Sequence, residues 1–232
     1  MPIGIIGAME EEVALIRQKL TDTATTHIAG SEFTEGKLEG VSVVLVKSGI
    51  GKVNAAMTTT LLCQLYQPTH MINTGSAGGV SKDLQVGDLV ISTEVLHHDV
   101  DVTAFGYVPG QVPGMPATFS ADESLRTLTK QKASALTGLQ AAYGWIASGD
   151  AFMQDSDRVK QVKSQFPHVI ATEMEAAAIA QVAYAFKVPF VVIRALSDIA
   201  GQESNVSFES FLEQAAEHST TLVEKVIVAL GV

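Results

Sequence analysis

Apolar β-branched runs alternate with helix-period stripes along nearly the whole chain. Ile3–Ile6, Val41–Val46, Met71–Asn73, Leu89–Val95, Trp145–Ala147 and Val188–Leu196 read as strands. Several are apolar at consecutive positions, as expected of strands covered on both faces. Between them, Met9, Val13, Ile16 and Leu20 form one helical stripe, and Val53, Ala56, Met57, Leu61 and Leu65 another. Phe208, Phe211, Leu212 and Ala215 begin a third. Ser120-Ala-Asp-Glu123 has the form of a capping box before a helix at about Leu125–Leu136. Phe33–Leu38 and Val41–Val46 flank Glu39-Gly40 like a hairpin, so the sheet should be mixed. The pattern predicts an α/β fold over residues 1–232 as a single domain. A mostly parallel central sheet should carry helices on both faces.

One stretch breaks the rhythm. Asp99–Ser120 carries Pro109, Pro113 and Pro116 among Gly106, Gly110 and Gly114. A connection this long in a compact domain is usually functional or disordered, and Val102, Phe105 and Tyr107 favour an ordered contact.

Composition narrows the function classes. The 232 residues are 47% hydrophobic and 17% charged, enough apolar material for a sizeable core. The longest apolar stretches are too short or too interrupted to cross a bilayer. The start, MPIGIIGAMEEEV, lacks the basic region of a secretory signal, so a cytoplasmic protein is expected. A net charge of -10 with scattered Lys and Arg argues against a nucleic-acid partner. Cys63, the one cysteine, lies among leucines on a helix and reads as a small buried hydrophobe.

In open parallel sheets ligands bind beyond the carboxyl ends of strands, so the chemistry is sought there. The strands lead into Gly7-Ala-Met-Glu10-Glu11-Glu12, Ser48-Gly49-Ile50-Gly51-Lys52 and Asn73-Thr-Gly75-Ser76-Ala77-Gly78-Gly79. Later ones lead into Ser148-Gly149-Asp150-Ala-Phe152-Met153 and Ser197-Asp198, while Glu173-Met174-Glu175 opens a helix after Val169–Thr172. The glycine turns fail as nucleotide motifs. Asn54 stands where a dinucleotide fingerprint needs its third glycine, and Lys52 precedes Val53 where a phosphate loop needs Ser or Thr. Acids in a first helical turn are explained by the helix dipole, but of Glu10, Glu11 and Glu12 only Glu12 flanks the apolar stripe and can reach inward. Asp198 ends a strongly apolar strand, where a buried carboxylate is costly unless partnered, and Arg194 shares its strand face. Glu175 precedes a run of small alanines that permits close packing. His97-His98-Asp99-Val-Asp101 invites a metal reading, but neighbours on a strand point to opposite faces, and neither metal nor cofactor is expected.

In order, GIIGAMEEEV, KSGIGKVNAA, NTGSAGG, VGDLV, DVDVTAFGY, SGDAF, EMEAAAIA and ALSDIA span nearly the full chain. Together they resemble the 5′-methylthioadenosine/S-adenosylhomocysteine nucleosidases of the nucleoside phosphorylase-like fold. The resemblance implies hydrolysis of the N-glycosidic bond of adenine thionucleosides, with Asp198 as leaving-group acid beside Ser197. It implies Glu12 as the base that activates water, near Arg194 and Ser76. Glu175 and Met174 would contact the ribose, Phe152 would stack on adenine, and the Met153 backbone would read its edge, with Gly78 among the substrate contacts. Met9, Ile50, Met174 and Phe208 would line the 5′-thio end. Val102, Phe105 and Pro113 would close it from a second subunit, giving a homodimer with shared sites. Two alternatives stay open on the residues alone: a phosphate-dependent phosphorylase, and a non-catalytic nucleoside-binding protein. The three glutamates and absent arginine of the first turn favour water over phosphate as nucleophile.

Overall fold

The computed structural model describes residues 1–201 and 204–231, with side chains of 204–207 excepted. The chain runs β1 (Ile3–Gly7), α1 (Glu10–Lys19), β2 (Thr21–Ile28), β3 (Ser31–Leu38), β4 (Val41–Lys47), α2 (Lys52–Tyr66) and β5 (His70–Gly79). It continues with β6 (Leu89–His97), β7 (Phe119–Ser120), α3 (Glu123–Ser134), β8 (Ala141–Ser148), α4 (Ser156–Gln165), β9 (Val169–Glu173), α5 (Ala176–Phe186), β10 (Phe190–Ile199) and α6 (Ser204–Leu230).

All strands join one mixed α/β sheet in the order β10-β6-β8-β9-β5-β1-β4-β3-β2. Because β10 also pairs with β5, the strands β5, β10, β6, β8 and β9 close on themselves as a barrel, from which β1, β4, β3 and β2 extend as a wing. β1 runs parallel to β4 and β5, β5 to β10, and β8 to β6 and β9. Antiparallel pairing joins β10 to β6 and β5 to β9, and builds the wing hairpins. The β3–β4 turn is made by Glu39 and Gly40, both at positive φ, the twist that a two-residue hairpin needs.

Two apolar layers sandwich the sheet. On one face Phe33, Leu62, Met71 and Val192 pack with the alanines of α5; on the other Ile5, Ile16, Leu45, Ile193 and Val226 pack with α1, α3 and α6. Every residue of β1 is buried, as are all of β10 up to Asp198.

Three local expectations are corrected. In α2 the buried residues are Ala55, Thr58, Thr59, Leu62 and Cys63, while Val53 and Leu65 of the apolar stripe are exposed. Two threonines can face the core because each hydroxyl has a partner inside it. Thr58 meets Ser31, and Thr59 Oγ1 donates to the Ala55 carbonyl at 2.7 Å. The cap of α3 is Asp122, which accepts from Leu125 N at 2.9 Å; Ser120 lies in β7 and donates to Glu94. The glycine run Asn73–Gly79 continues β5, paired with β10 over its length, and Ser197-Asp198 lies within β10. The wing strand β2 has a polar, exposed sequence with no alternation to reveal it.

Leu62→Ala is expected to cost about 2–5 kcal/mol of stability through the cavity it leaves, and Leu65→Ala well under that. Urea unfolding of the two variants checks which face of α2 carries the packing.

Candidate active site

A cavity of about 290 Å³ opens where β1, β5, β8, β9 and β10 end, against the N-terminal ends of α1, α5 and α6. Its wall holds Met9, Glu12, Ile50, Ser76, Gly78, Phe152, Met153, Met174, Glu175, Arg194, Ser197, Asp198 and Phe208. The structure thus brings together every within-chain position named from the sequence. It adds Ala8, Ala77, Ala151, Thr172 and Glu173.

Glu12 is the third residue of α1 and folds back over the helix start. Its Oε2 accepts from Ala8 N at 2.7 Å and Met9 N at 3.2 Å, the reach-back half of a capping box. Its Oε1 accepts from Ser76 N at 2.9 Å and Ser76 Oγ at 3.1 Å. The side chain is therefore both a helix cap and a carboxylate fixed at the cavity floor, 2% exposed. Gly75 is obligatory behind it. Its φ is +150°, and a Cβ there would collide with the Glu12 carboxylate and the Arg194 guanidinium.

Arg194 is the organising cation. It is fully buried and faces three carboxylates, Glu12 at 3.8 Å, Glu175 at 3.5 Å and Glu173 at closer range. Asn73 Oδ1 at 2.9 Å and the Ser76 carbonyl at 3.2 Å take further N–H bonds. Glu173, which sequence reasoning passed over, is as heavily engaged as Glu12. It accepts from the Glu175 and Ala176 amides at 2.9 and 2.8 Å, caps α5, and takes the Ser148 hydroxyl. The signal was present: Glu173, the first residue of EMEAAAIA, stands three residues before the alanine run, in reach of the first amides of the helix.

Glu175 sits as the N-cap residue of α5, with Oε1 accepting from Gly51 N at 2.8 Å. Burial, and then the Glu173 charge, push its pKa up to about 8; Arg194 opposes the rise, Glu12 adds to it, and the Gly51 bond opposes it again. Asp198 is 3% exposed and accepts from Ser197 Oγ at 2.9 Å. Gly78 lies opposite it in the sheet, and a Cβ there would come within 3.1 Å of its Oδ2. At the mouth, Phe152 and Phe208 meet edge to face with centroids 5.8 Å apart.

Val102, Phe105 and Pro113 are not part of this wall. They lie on the long loop, which is ordered around a 3-10 turn at Thr103–Phe105, with Phe105 81% exposed and Pro113 exposed. His97 bonds Gln181 at 3.0 Å, and burial holds both His97 and His98 below the usual imidazole range. Among the described residues no group of three or more His, Cys, Asp or Glu could hold a metal ion.

Residues 2–228 match the model of the Phosphorylase superfamily. The chain is 61% identical over 227 residues to the 5′-methylthioadenosine/S-adenosylhomocysteine nucleosidase of Bacillus subtilis (strain 168), covering 98% of each chain. The chain belongs to the 5′-methylthioadenosine/S-adenosylhomocysteine nucleosidase family. A solved member of this nucleosidase family from Colwellia psychrerythraea 34H, in complex with adenine, superposes with a TM-score of 0.97 at 49% identity, covering 99% of this chain and 96% of that one. The nucleosidase from Neisseria meningitidis, in complex with methylthio-immucillin-A, gives 0.97 at 45% identity, covering 98% and 99%.

The raised pKa of Glu175 makes a stability prediction for this nucleosidase fold. Between the ordinary value of 4.5 and about 8, folded Glu175 keeps a proton that the unfolded chain has released. Its contribution is therefore complete below that window and is lost as pH rises through it. Glu175→Gln should gain thermal stability relative to the parent as pH goes from about 5 to about 8. A pH-independent difference between their melting temperatures would contradict this assignment.

Proposed function

We propose that the chain hydrolyses the N-glycosidic bond of 5′-methylthioadenosine and S-adenosylhomocysteine, and of 5′-deoxyadenosine, releasing adenine and the 5-substituted ribose. It then serves methionine salvage and the recycling of S-adenosylmethionine by-products. The observation that carries hydrolysis, as against phosphorolysis, is the state of the cavity floor. Four donors already converge on the Glu12 carboxylate, and Arg194, the one Lys or Arg lining the cavity among the described residues, is committed to three carboxylates. A phosphate dianion arriving there would meet the protein's own anion, whereas a water could hand that anion a proton.

In the reaction the bond from C1′ to adenine N9 breaks as a water oxygen bonds C1′. Asp198 gives its proton to adenine N7, and Glu12 takes one from the water. Glu175 holds the ribose hydroxyls beside Met174, and Phe152 stacks on the base. Met153, buried behind it, presents backbone to the adenine edge. Ser197 Oγ donates to Asp198 Oδ1, and Asp198 Oδ2 lies on the Gly78 side. Met9, Ile50 and Phe208 supply the apolar side for the 5′-thio group.

Adenine should be released from methylthioadenosine in phosphate-free buffer, with free methylthioribose as the second product. Asp198→Asn and Glu12→Gln should each lower turnover by about two to four powers of ten while remaining folded. A requirement for phosphate, with a sugar 1-phosphate as product, would overturn the hydrolytic reading. Near-normal turnover in either folded variant would remove that residue from the chemistry.

We also propose a two-fold homodimer in which Val102, Phe105 and Pro113 of each copy close the 5′ end of the other's cavity. Phe105 at 81% and Val53 at 78% exposure give the monomer apolar surface with nothing of its own to cover it. A cytoplasmic setting suits the lone Cys63, buried, with its thiol pushed up to about 11 by burial. Phe105→Asp should weaken dimerisation and raise KM for the thionucleoside together. Light scattering and kinetics on one sample check this, and an active wild-type monomer would rule out shared sites.

A further inference from the structure

The turns that follow β4, β6 and β8 meet in a closed ring of contacts just outside the cavity. Lys52 Nζ pairs with Asp99 Oδ1; Asp99 Oδ2 accepts from Asp150 N at 3.0 Å; Asp150 Oδ1 accepts from Lys52 N at 2.8 Å. The ring therefore begins and ends on Lys52. None of its members lines the cavity, yet Lys52 and Asp150 each stand two residues from one that does. Ile50 is two residues before Lys52, and Phe152 is two residues after Asp150. Between Ile50 and Lys52, the Gly51 amide donates to Glu175. Consecutive amides at the start of α2 thus serve two carboxylates, one in the cavity and one in the ring. Gly51 makes this possible, with φ +94°, and a Cβ there would press on Asp150 Oδ1 at 3.1 Å.

We infer that Lys52, Asp99 and Asp150 are positioning residues that hold the adenine-stacking turn at a fixed distance from the ribose-side glutamate. This rests on the nucleosidase reading above. A part-exposed ion pair adds little to stability, and the Lys52 and Asp99 side chains are 18% and 22% exposed. The ring's value is geometric. The Gly149–Met153 turn has Phe152 41% exposed, and backbone bonds hold it at its two ends, Gly149 N on the Glu173 carbonyl at 3.2 Å and Gly201 N on the Met153 carbonyl at 3.0 Å. The ring adds a third point between them, at Asp150, on the side that faces α2. Adenine and ribose are joined by a single bond, so the two halves of the site must keep their spacing to bind both.

The test is steady-state hydrolysis of methylthioadenosine by Lys52→Met, Asp99→Asn, the double variant and Lys52→Arg. Each breaking variant should raise KM about tenfold with kcat little changed, the signature of misplaced binding groups. The double variant should match the worse single, because one ring is opened either way. Lys52→Arg should restore KM, since it restores the pair. Calorimetric affinity for free adenine should fall by a similar factor, and Asp99→Asn, nearly isosteric, guards against a folding failure of Lys52→Met. An unchanged KM and adenine affinity with only a lowered melting temperature would overturn the inference, as would single effects that simply add. A wild-type protein that binds adenine but releases none from methylthioadenosine would sink the nucleosidase reading instead, and adenine affinity would still judge the ring.

Discussion

A single guanidinium with no access to water sets the terms for the site. Burying Arg194 costs several kcal/mol in lost hydration, which is recovered only if carboxylates and carbonyls meet it with good geometry. Three acids from three elements do so: Glu12 from α1, Glu173 from β9 and Glu175 from the cap of α5. Asn73 and Ser76 each accept a further N–H bond from it on β5. Removing any of these partners leaves charge stranded in the barrel end. The arrangement also carries more negative than positive charge, and burial together with that excess pushes the Glu175 pKa up to about 8.

The capping interactions show how the same atoms serve folding and chemistry. Glu12 satisfies amides at the start of α1, Glu173 those of α5, and in doing so each carboxylate is brought to the cavity with little freedom left. A base or clamp fixed by the helix it caps needs no separate scaffold. Such preorganisation lowers the entropy lost when substrate binds.

Much of this was legible in the sequence, for identifiable reasons. Strands buried on both faces leave unbroken apolar runs, so β1, β4, β6 and β10 were readable, and the Glu39-Gly40 turn announced its hairpin. The within-chain cavity residues were reached through ordered motifs, since no single glycine turn carries that information. What escaped is also physical. Thr58 and Thr59 look polar in a list of residues and are core in a structure that satisfies their hydroxyls. The Asn73–Gly79 run looks like a loop because glycine is rare in strands, yet here close approach of Arg194 and Glu12 leaves no space for a side chain at Gly75. Glu173 offered only a local capping signal, because its side-chain partners, Ser148 and Arg194, lie far away in sequence, on β8 and β10.

The β5–β10 ladder has one irregularity: Leu196 faces Ala77, Asp198 faces Gly78, and Ser197 is the extra residue. Such a bulge rotates the strand locally and lets neighbouring side chains share one face. Ser197 and Asp198 both line the cavity at this bulge. The reach of the acid is thereby written into a count of residues as much as into their identities. A chain without the extra residue could keep Asp198 opposite Gly78 and still lose the local rotation that aims it. A one-residue gap here would therefore disturb the chemistry more surely than many exchanged side chains.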